Sequence, residues 1–443
     1  MPYFRFYFYL VVFMRNFLIH SVRPLGAALL VALVVSACGG SGSSAPPPPG
    51  GITVQAGDGQ ATVSWTATPD AKYWIFYAPA TSIDSRNWLN VPNSKAILNT
   101  TTPYVVTELT NGTSYSFTLN TRIGEGPGGE GTPSITIVPR LAGATWASMG
   151  GNFGGNTIRS IGYGAGGSND NGEILNYYVA VGDNGTAWRS SDGITWSSIP
   201  SPTSGKLNAI SYLGKHITVG AGGFIAYGTD LSTWTQANSQ TTSNLNAISN
   251  NGVIAIAVGD NGVIRRTGDG GTWTTIASPT TQHLYGVSYS SNGTWNAVGA
   301  QGTLLMSTDG GSTWKATASG TSNDLHAVVA QANTVTTTST STTSYTTVAV
   351  GDKGTVLRSA DGGTTWVSQN SGTTANLLTS SSTNQQIVAA GSEGTIIRSP
   401  DGLAWTVSTA PTTQTSSTLY AVLYGYLGKI VAAGQNGAGV YSQ

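Results

Sequence analysis

The stretch from Gly351 to Trp366, GDKGTVLRSADGGTTW, holds a glycine-flanked turn, a short β-branched run, a Ser-x-Asp-Gly-Gly turn and a Trp that opens another strand. The pattern recurs along the last two thirds of the chain. Its Asp falls at Asp192, Asp230, Asp269, Asp309, Asp361 and Asp401, in steps of 38, 39, 40, 52 and 40 residues. A Trp follows each one, at Trp196, Trp234, Trp273, Trp314, Trp366 and Trp405. A unit of this length, read as four short strands, cannot bury both of its faces alone and must stack against copies of itself. The period predicts the blades of a β-propeller.

The unit beginning at Leu325 gives the strands most plainly: Leu325–Val329, Thr347–Gly351, Thr355–Ser359 and Thr365–Gln369. The second and third are joined by Gly-Asp-Lys-Gly at 351–354, and by Gly-Asp-Asn-Gly at 182–185 and 259–262 in other units. Such sequences suit tight turns that need positive φ. Six boxes are complete and a seventh is split. The last unit offers Leu419–Leu423, Lys429–Gly434 and Gly439–Ser442, and Gln443 ends the chain inside its box. Thr145–Met149 aligns with the strand that opens at Thr365-Trp366. The expectation is a seven-bladed propeller over 141–443, closed by its N-terminal strand, because closure removes open sheet edges.

Upstream, the apolar run Ala27–Val35 follows Arg15, His20 and Arg23 and precedes small residues, as in a secretory signal. The run is too short to span a bilayer comfortably. Val35-Ser36-Ala37-Cys38 resembles the bacterial lipobox, in which the Cys is acylated and becomes the mature N-terminus. Cys38 is the single cysteine, so no intramolecular disulfide is available. Residues 1–37 are thus read as a lipoprotein signal, with Met14 as an alternative start because the segment after it is a complete signal by itself. The resemblance implies a membrane lipid anchor, and Gly39 after the Cys favours the outer membrane, on its periplasmic or surface face. Residues 38–51, rich in Gly, Ser and Pro, read as a tether.

Residues 52–140 read as a β-sandwich, with strand patterns at Ala61–Trp65, Tyr73–Tyr77, Tyr104–Leu109, Tyr115–Thr121 and Ser134–Val138. Leu109-Thr-Asn-Gly-Thr-Ser-Tyr115 resembles the tyrosine corner of fibronectin type III domains, and Trp65 sits where those domains keep a core Trp. That resemblance implies a spacer or adhesive module. The repeated box resembles that of sialidases and other BNR-repeat proteins. The fuller Val-Gly-Asp-Asn-Gly…Arg-Ser-x-Asp-Gly-Gly-x-Thr-Trp pattern resembles the photosystem II assembly/stability factor family of propellers.

Several residue sets are candidates for function. The box aspartates recur in blade after blade, and a catalytic residue would be singular, so their expected work is to lock turns. Arg189, Arg266, Arg358 and Arg398 occupy one position before the box Ser/Thr, replaced by Tyr227, Met306 and Tyr441 elsewhere. They are candidates for a protein-docking patch, with cover over the Trp as the structural alternative. Asp183, Asp260 and Asp352 lie in the turns on the opposite face, where a glycan or small molecule would find a concavity. His216, His283 and His326 show no metal-ligand spacing and read as packing residues. Ala165–Leu175 and the Thr/Ser-rich Ala332–Ser344 read as longer loops on the box face, the latter as a solvated one.

Lys+Arg and Asp+Glu balance at 19 each, which gives no basic footprint for nucleic acid. No catalytic residue, metal site or cofactor is implied. A sialidase-type enzyme would need an arginine cluster, a Tyr nucleophile and a Glu, and the propeller carries Glu173 and Glu393 as its only glutamates. The expected function is therefore non-catalytic binding of an unknown protein partner or surface glycan by a monomeric, membrane-anchored chain, as in an assembly factor. A glycoside hydrolase is the alternative.

Overall fold

The computed structural model describes residues 45–442, apart from 58, 125–127, 141–142, 144–145, 150–152, 169–173, 337–340, 384, 409–415 and 426–428. The signal segment and Cys38 lie outside the described residues. Among the described residues, every regular element longer than a single 3-10 turn is a strand.

Residues 53–137 form a four-stranded sheet in the order Lys95–Thr100, Ala71–Ala78, Tyr115–Ile123, Ile135–Ile137, and a three-stranded sheet of Thr53–Gly57, Gln60–Ser64 and Tyr104–Val106. Thr53–Gly57 and Lys95–Thr100 were not legible as strands in the sequence. Alternate residues Tyr73, Ile75 and Tyr77 of one strand are buried, and Ile75 and Tyr77 pair with buried Leu119 and Phe117 of its neighbour. The rings of Tyr77 and Phe117 stack with centroids 5.5 Å apart. Trp65 is buried against Tyr73. The Leu109–Tyr115 corner is held by Leu109 N–H donating to Gly59 O (2.8 Å) and by Gly59 N–H donating to Asn111 Oδ1 (2.9 Å). The end of the expected tether is already structured: Pro49 is buried, and Gly50 O accepts from Thr66 N–H at 2.9 Å.

The propeller consists of seven four-stranded antiparallel sheets. The first strands of blades one to seven are Ile158–Ser168, Leu207–Tyr212, Leu245–Asn250, Leu284–Tyr289, Leu325–Thr336, Leu377–Ser382 and Leu419–Tyr424. Each neighbours the first strand of the next blade, and that of blade seven neighbours that of blade one, so the ring closes. Blade seven takes its outer strand from the N-terminal side: Trp146–Ser148 pairs with Gly439–Ser442 in the register Ser442↔Trp146, Tyr441↔Ala147, Val440↔Ser148. Trp146 Nε1–H donates to Gly143 O (3.1 Å), just as Trp366 donates to Gly363 O (2.9 Å) inside a complete box.

Cores form between blades. Second strands such as Ala255–Gly259, Trp295–Gly299 and Ile387–Gly391 are buried at every position, because each is covered by a neighbouring blade on either face. This is why they read as continuous apolar runs rather than alternating ones. Ile254, Ile256 and Val258 of blade three, for example, pack with Leu284, Val287, Trp295 and Trp314 of blade four.

The Thr/Ser-rich segment expected as a solvated loop is instead mostly strand. Leu325–Thr336 and Ser341–Gly351 pair in continuous register from Ala327↔Val350 to Thr336↔Ser341. β-Branched Thr favours an extended backbone, and paired strands satisfy their own N–H and C=O groups without needing an apolar face. Part of the blade-one insertion likewise extends the strands Ile158–Ser168 and Ile174–Gly182.

Candidate binding site at the mouth of the central channel

The turns between second and third strands all adopt one conformation. Gly351 is followed by a 3-10 turn, Asp352–Gly354, in which Lys353 (φ 55°) and Gly354 (φ 68°) are both left-handed. A Cβ at Gly354 would collide with Thr373 O in the connection to the next blade, so glycine is required there for close approach as well as for φ. The geometry recurs at Asp183–Gly185 and Asp260–Gly262, so Asp183, Asp260 and Asp352 stand at equivalent places on one face.

What these aspartates meet was not anticipated. Near the start of each first strand the register slips by one residue, leaving a bulge at Arg159, Asn208, Asn246, Tyr285, His326, Leu378 and Tyr420. A bulge re-aims its side chain out of the ladder. All seven bulged residues line the central channel, a cavity of about 420 Å3 to which every blade contributes. Arg159 bonds Asp183 through two nitrogens, at 3.0 and 2.9 Å, and lies 4.3 Å over the Tyr420 ring. Burial works against the Arg159 charge, but Asp183 and Tyr420 outweigh it and its pKa is raised. His326 Nε2–H donates to Asp352 Oδ1 at 2.7 Å, and its ring stacks on Tyr285 at 5.4 Å. Asp260 accepts from Asn246 (2.9 Å) and Asn244 (2.8 Å) and lies 3.2 Å from His283 Nδ1. Tyr285 is pushed up by burial first, then by Asp324, Asp260 and Asp352. Lys206 reaches solvent at the rim. Partial desolvation and then Arg159 lower its pKa, against Asp183 and Asp260.

Sequence reasoning found the three aspartates but missed Arg159, Tyr285, His326 and Tyr420, and it read His283 and His326 as packing residues. A signal was present. Each bulged residue follows a buried Ile or Leu (Ile158, Leu207, Leu245, Leu284, Leu325, Leu377, Leu419), so one repeat position carries seven variable side chains beside an invariant aliphatic one. His216 stands apart. It is fully buried against Tyr212, and among the described residues neither ring nitrogen makes a hydrogen bond of good geometry. Desolvation lowers its pKa to about 4, only weakly opposed by the nearby Ala165 backbone.

On the other face the box aspartates lock their turns. Asp361 Oδ1 accepts from Thr364 N–H (3.0 Å), Thr365 N–H (2.9 Å) and Ser359 Oγ–H (2.7 Å), and Oδ2 from Thr365 Oγ1–H (2.6 Å). Burial pushes this carboxyl up, but these donors outweigh it and hold it down at about 2. Asp309 keeps a similar set and is held at about 2, chiefly by the Thr313 hydroxyl. Asp230 and Asp269 sit at about 2 through turn N–H donors, Thr233 and Thr272 foremost. Asp192 accepts from Ile194 and Thr195 N–H, and Asp401 from Leu403 N–H.

The arginines beside the boxes are half-buried, and two of them tie one blade to the next. Arg266 Nε–H donates to Gly310 O (2.9 Å) and Arg358 Nε–H to Asp401 O (2.9 Å), each reaching the box of the following blade. Arg189 lies 4.8 Å over Tyr177, and the Arg398 side chain runs beside Gly143. Among the described residues, no group of three or more His, Cys, Asp or Glu is gathered so as to hold a metal ion.

Residues 47–137 match the family model of the fibronectin type III domain. This segment has the fibronectin type III fold. The fibronectin match ends before the propeller begins, and the propeller's likenesses are to solved structures. YCF48 bound to a D1 peptide aligns over 67% of this chain and 94% of its own, at 17% identity and a TM-score of 0.51. YCF48 from Cyanidioschyzon merolae aligns over 68% and 99%, at 17% identity and 0.50. The WD40 propeller domain of Doa1 aligns over 67% and 95%, at 13% identity and 0.50. At such identities the likeness establishes the fold. No curated protein matches the chain in sequence at a significant level.

Proposed function

We propose that this chain is an envelope lipoprotein, anchored through Cys38 in the outer membrane, whose fibronectin type III domain spaces a non-catalytic propeller that binds a segment of a protein partner at the channel mouth. The role that fits is assembly or scaffolding. The observation that carries the reading is the ring of bulges. Seven equivalent positions aim side chains of five kinds (Arg, Asn, Tyr, His and Leu) at one concavity, and a repeat kept only for stability has no need of that variety. Convergent polar and aromatic groups in a cavity are the physical marks of a binding site. A YCF48 structure with a D1 peptide gives precedent for a peptide on such a propeller.

Of the box-face arginines, the other docking candidate, Arg266 and Arg358 spend donors on blade-to-blade ties, which favours the opposite face for the proposed contact. The glycoside-hydrolase alternative would need a carboxylate pair free to flank a sugar. Asp183 and Asp352 are instead each bonded to a cationic or imidazole neighbour.

The test is affinity capture from membranes with the detergent-solubilised full chain, followed by mass spectrometry. Tyr285→Ala/Tyr420→Ala should lose the captured partner, while Arg358→Ala/Arg398→Ala should keep it at temperatures where both are folded. The reverse pattern, or partner capture indifferent to the mouth, overturns the proposal.

A further inference from the structure

The mouth contains the same three-residue arrangement twice, half a turn of the ring apart. At blades seven and one it is Tyr420, Arg159 and Asp183: bulge tyrosine, bulge cation of the next blade, turn aspartate of that blade. At blades four and five it is Tyr285, His326 and Asp352 in the same three places. The first copy is complete, with a guanidinium stacked on the ring and forked by the carboxylate. In the second copy the shorter imidazole occupies the arginine's place.

Two further carboxylates act on Tyr285, those of Asp324 and Asp260. Asp324 Oδ1 accepts from Gln301 N–H (2.8 Å), and Asp260 braces His283, whose ring runs nearly parallel to that of Tyr285 (11°, 6.4 Å). His283, Tyr285 and His326 thus form a row of rings with Asp260, Asp324 and Asp352 around it. Among the described residues, Arg265 is committed to Ser239 O and Gln240 O, the Lys206 charge acts on both Asp183 and Asp260, and Lys353 sits exposed in the turn beyond Asp352.

We infer that the Tyr285 half of the mouth is the seat for an arginine side chain of the partner, which brings to its carboxylates from outside the fixed positive charge that Arg159 supplies from inside at the first copy. This inference rests on the protein-binding reading and specifies the partner segment as a basic one. A guanidinium fits because its edge donates several N–H groups in a fixed fork to carboxylates, a demand that an ammonium meets less well.

The experiment is a titration of the full chain, histidine-labelled and in detergent, with N-acetyl-arginine methylamide, against the isosteric but uncharged N-acetyl-citrulline methylamide. The ring signals of His283 and His326 report the seat, and buried His216 reports that the fold is intact. Saturable shifts at His283 and His326 are expected with the arginine probe, at a Kd on the order of millimolar. Citrulline should bind at least about tenfold more weakly, and His216 should stay in place. Tyr285→Ala should abolish the shifts, and Asp260→Asn/Asp352→Asn should weaken them several-fold. Equal response to both probes, no response, or full binding by folded Tyr285→Ala overturns the seat. If capture of the partner depends on the mouth while arginine does not bind, the seat alone fails. If arginine binds and capture ignores the mouth, the protein-binding reading fails.

Discussion

Blade seven is held shut by three residue pairs and one tryptophan, which makes closure measurable. Trp146 is 9% exposed and packs with Val388, Ala390, Ile396, Leu419, Val422, Ile430, Ala432 and Val440, joining blades six and seven. Truncating a buried Trp to Ala removes that packing and leaves a cavity, at about 3–5 kcal/mol. In a propeller of this size one kcal/mol is worth roughly 2 °C in Tm, so Trp146→Ala should lower the propeller's transition by about 6–10 °C. Removing 141–150 should lower it further, since Gly439–Ser442 would then become an exposed edge. Differential scanning calorimetry of the full chain resolves this. Val367→Ala, on the exposed outer strand of blade five, is the control and should stay within about 0.5 kcal/mol. If Trp146→Ala melts like Val367→Ala, the N-terminal strand does not close the ring in solution.

Asp361→Ala should cost about 1 kcal/mol, because the N–H groups it frees are near water, and should leave partner capture unchanged. A normally stable Asp361→Ala protein with a selective loss of hydrolytic activity would instead favour catalysis. Stability should fall with acid in two stages. Unfolded His216 takes a proton near 6.5 and the folded one only near 4, so its contribution is present above 6.5 and is lost as pH falls to about 4, by up to about 3 kcal/mol. The box aspartates, held at about 2 against 3.8 unfolded, add a second loss as pH falls from about 4 to 2. Urea titrations across this range check both, and His216→Leu should remove the first stage only. Cys38→Ser should release the protein from the detergent phase or leave it unprocessed; identical retention and processing would refute the lipid anchor.

The propeller was legible because its determinants are local and repeated. A glycine-flanked turn, an apolar second strand and an Asp–Trp box each announce themselves within a few residues, and even the split seventh box showed in the likeness of Thr145-Trp146 to Thr365-Trp366. The candidate site was half legible. Asp183, Asp260 and Asp352 sit in turns whose chemistry is visible in sequence. Their partners Arg159, His326 and His283 lie 23 to 26 residues away in the chain and meet them only after the strands pair. The bulge that aims Tyr285 and Tyr420 inward is a one-residue slip in register, which shows in the sequence only when the repeats are aligned on the Ile or Leu before it. The Thr-rich hairpin of blade five was misread for a related reason: polarity suggested solvent, and backbone pairing does not depend on polarity.

The central claim is that partners meet this propeller at the channel mouth, and site-specific photo-crosslinking tests it most directly. A benzoylphenylalanine placed at Asn244 or Asn376, exposed on the mouth face, is compared with one at Leu403, exposed in the box turn of blade six. Irradiation in intact cells should yield a partner adduct from Asn244 and Asn376 and none from Leu403. An adduct confined to Leu403 would place the partner on the box face and contradict the account.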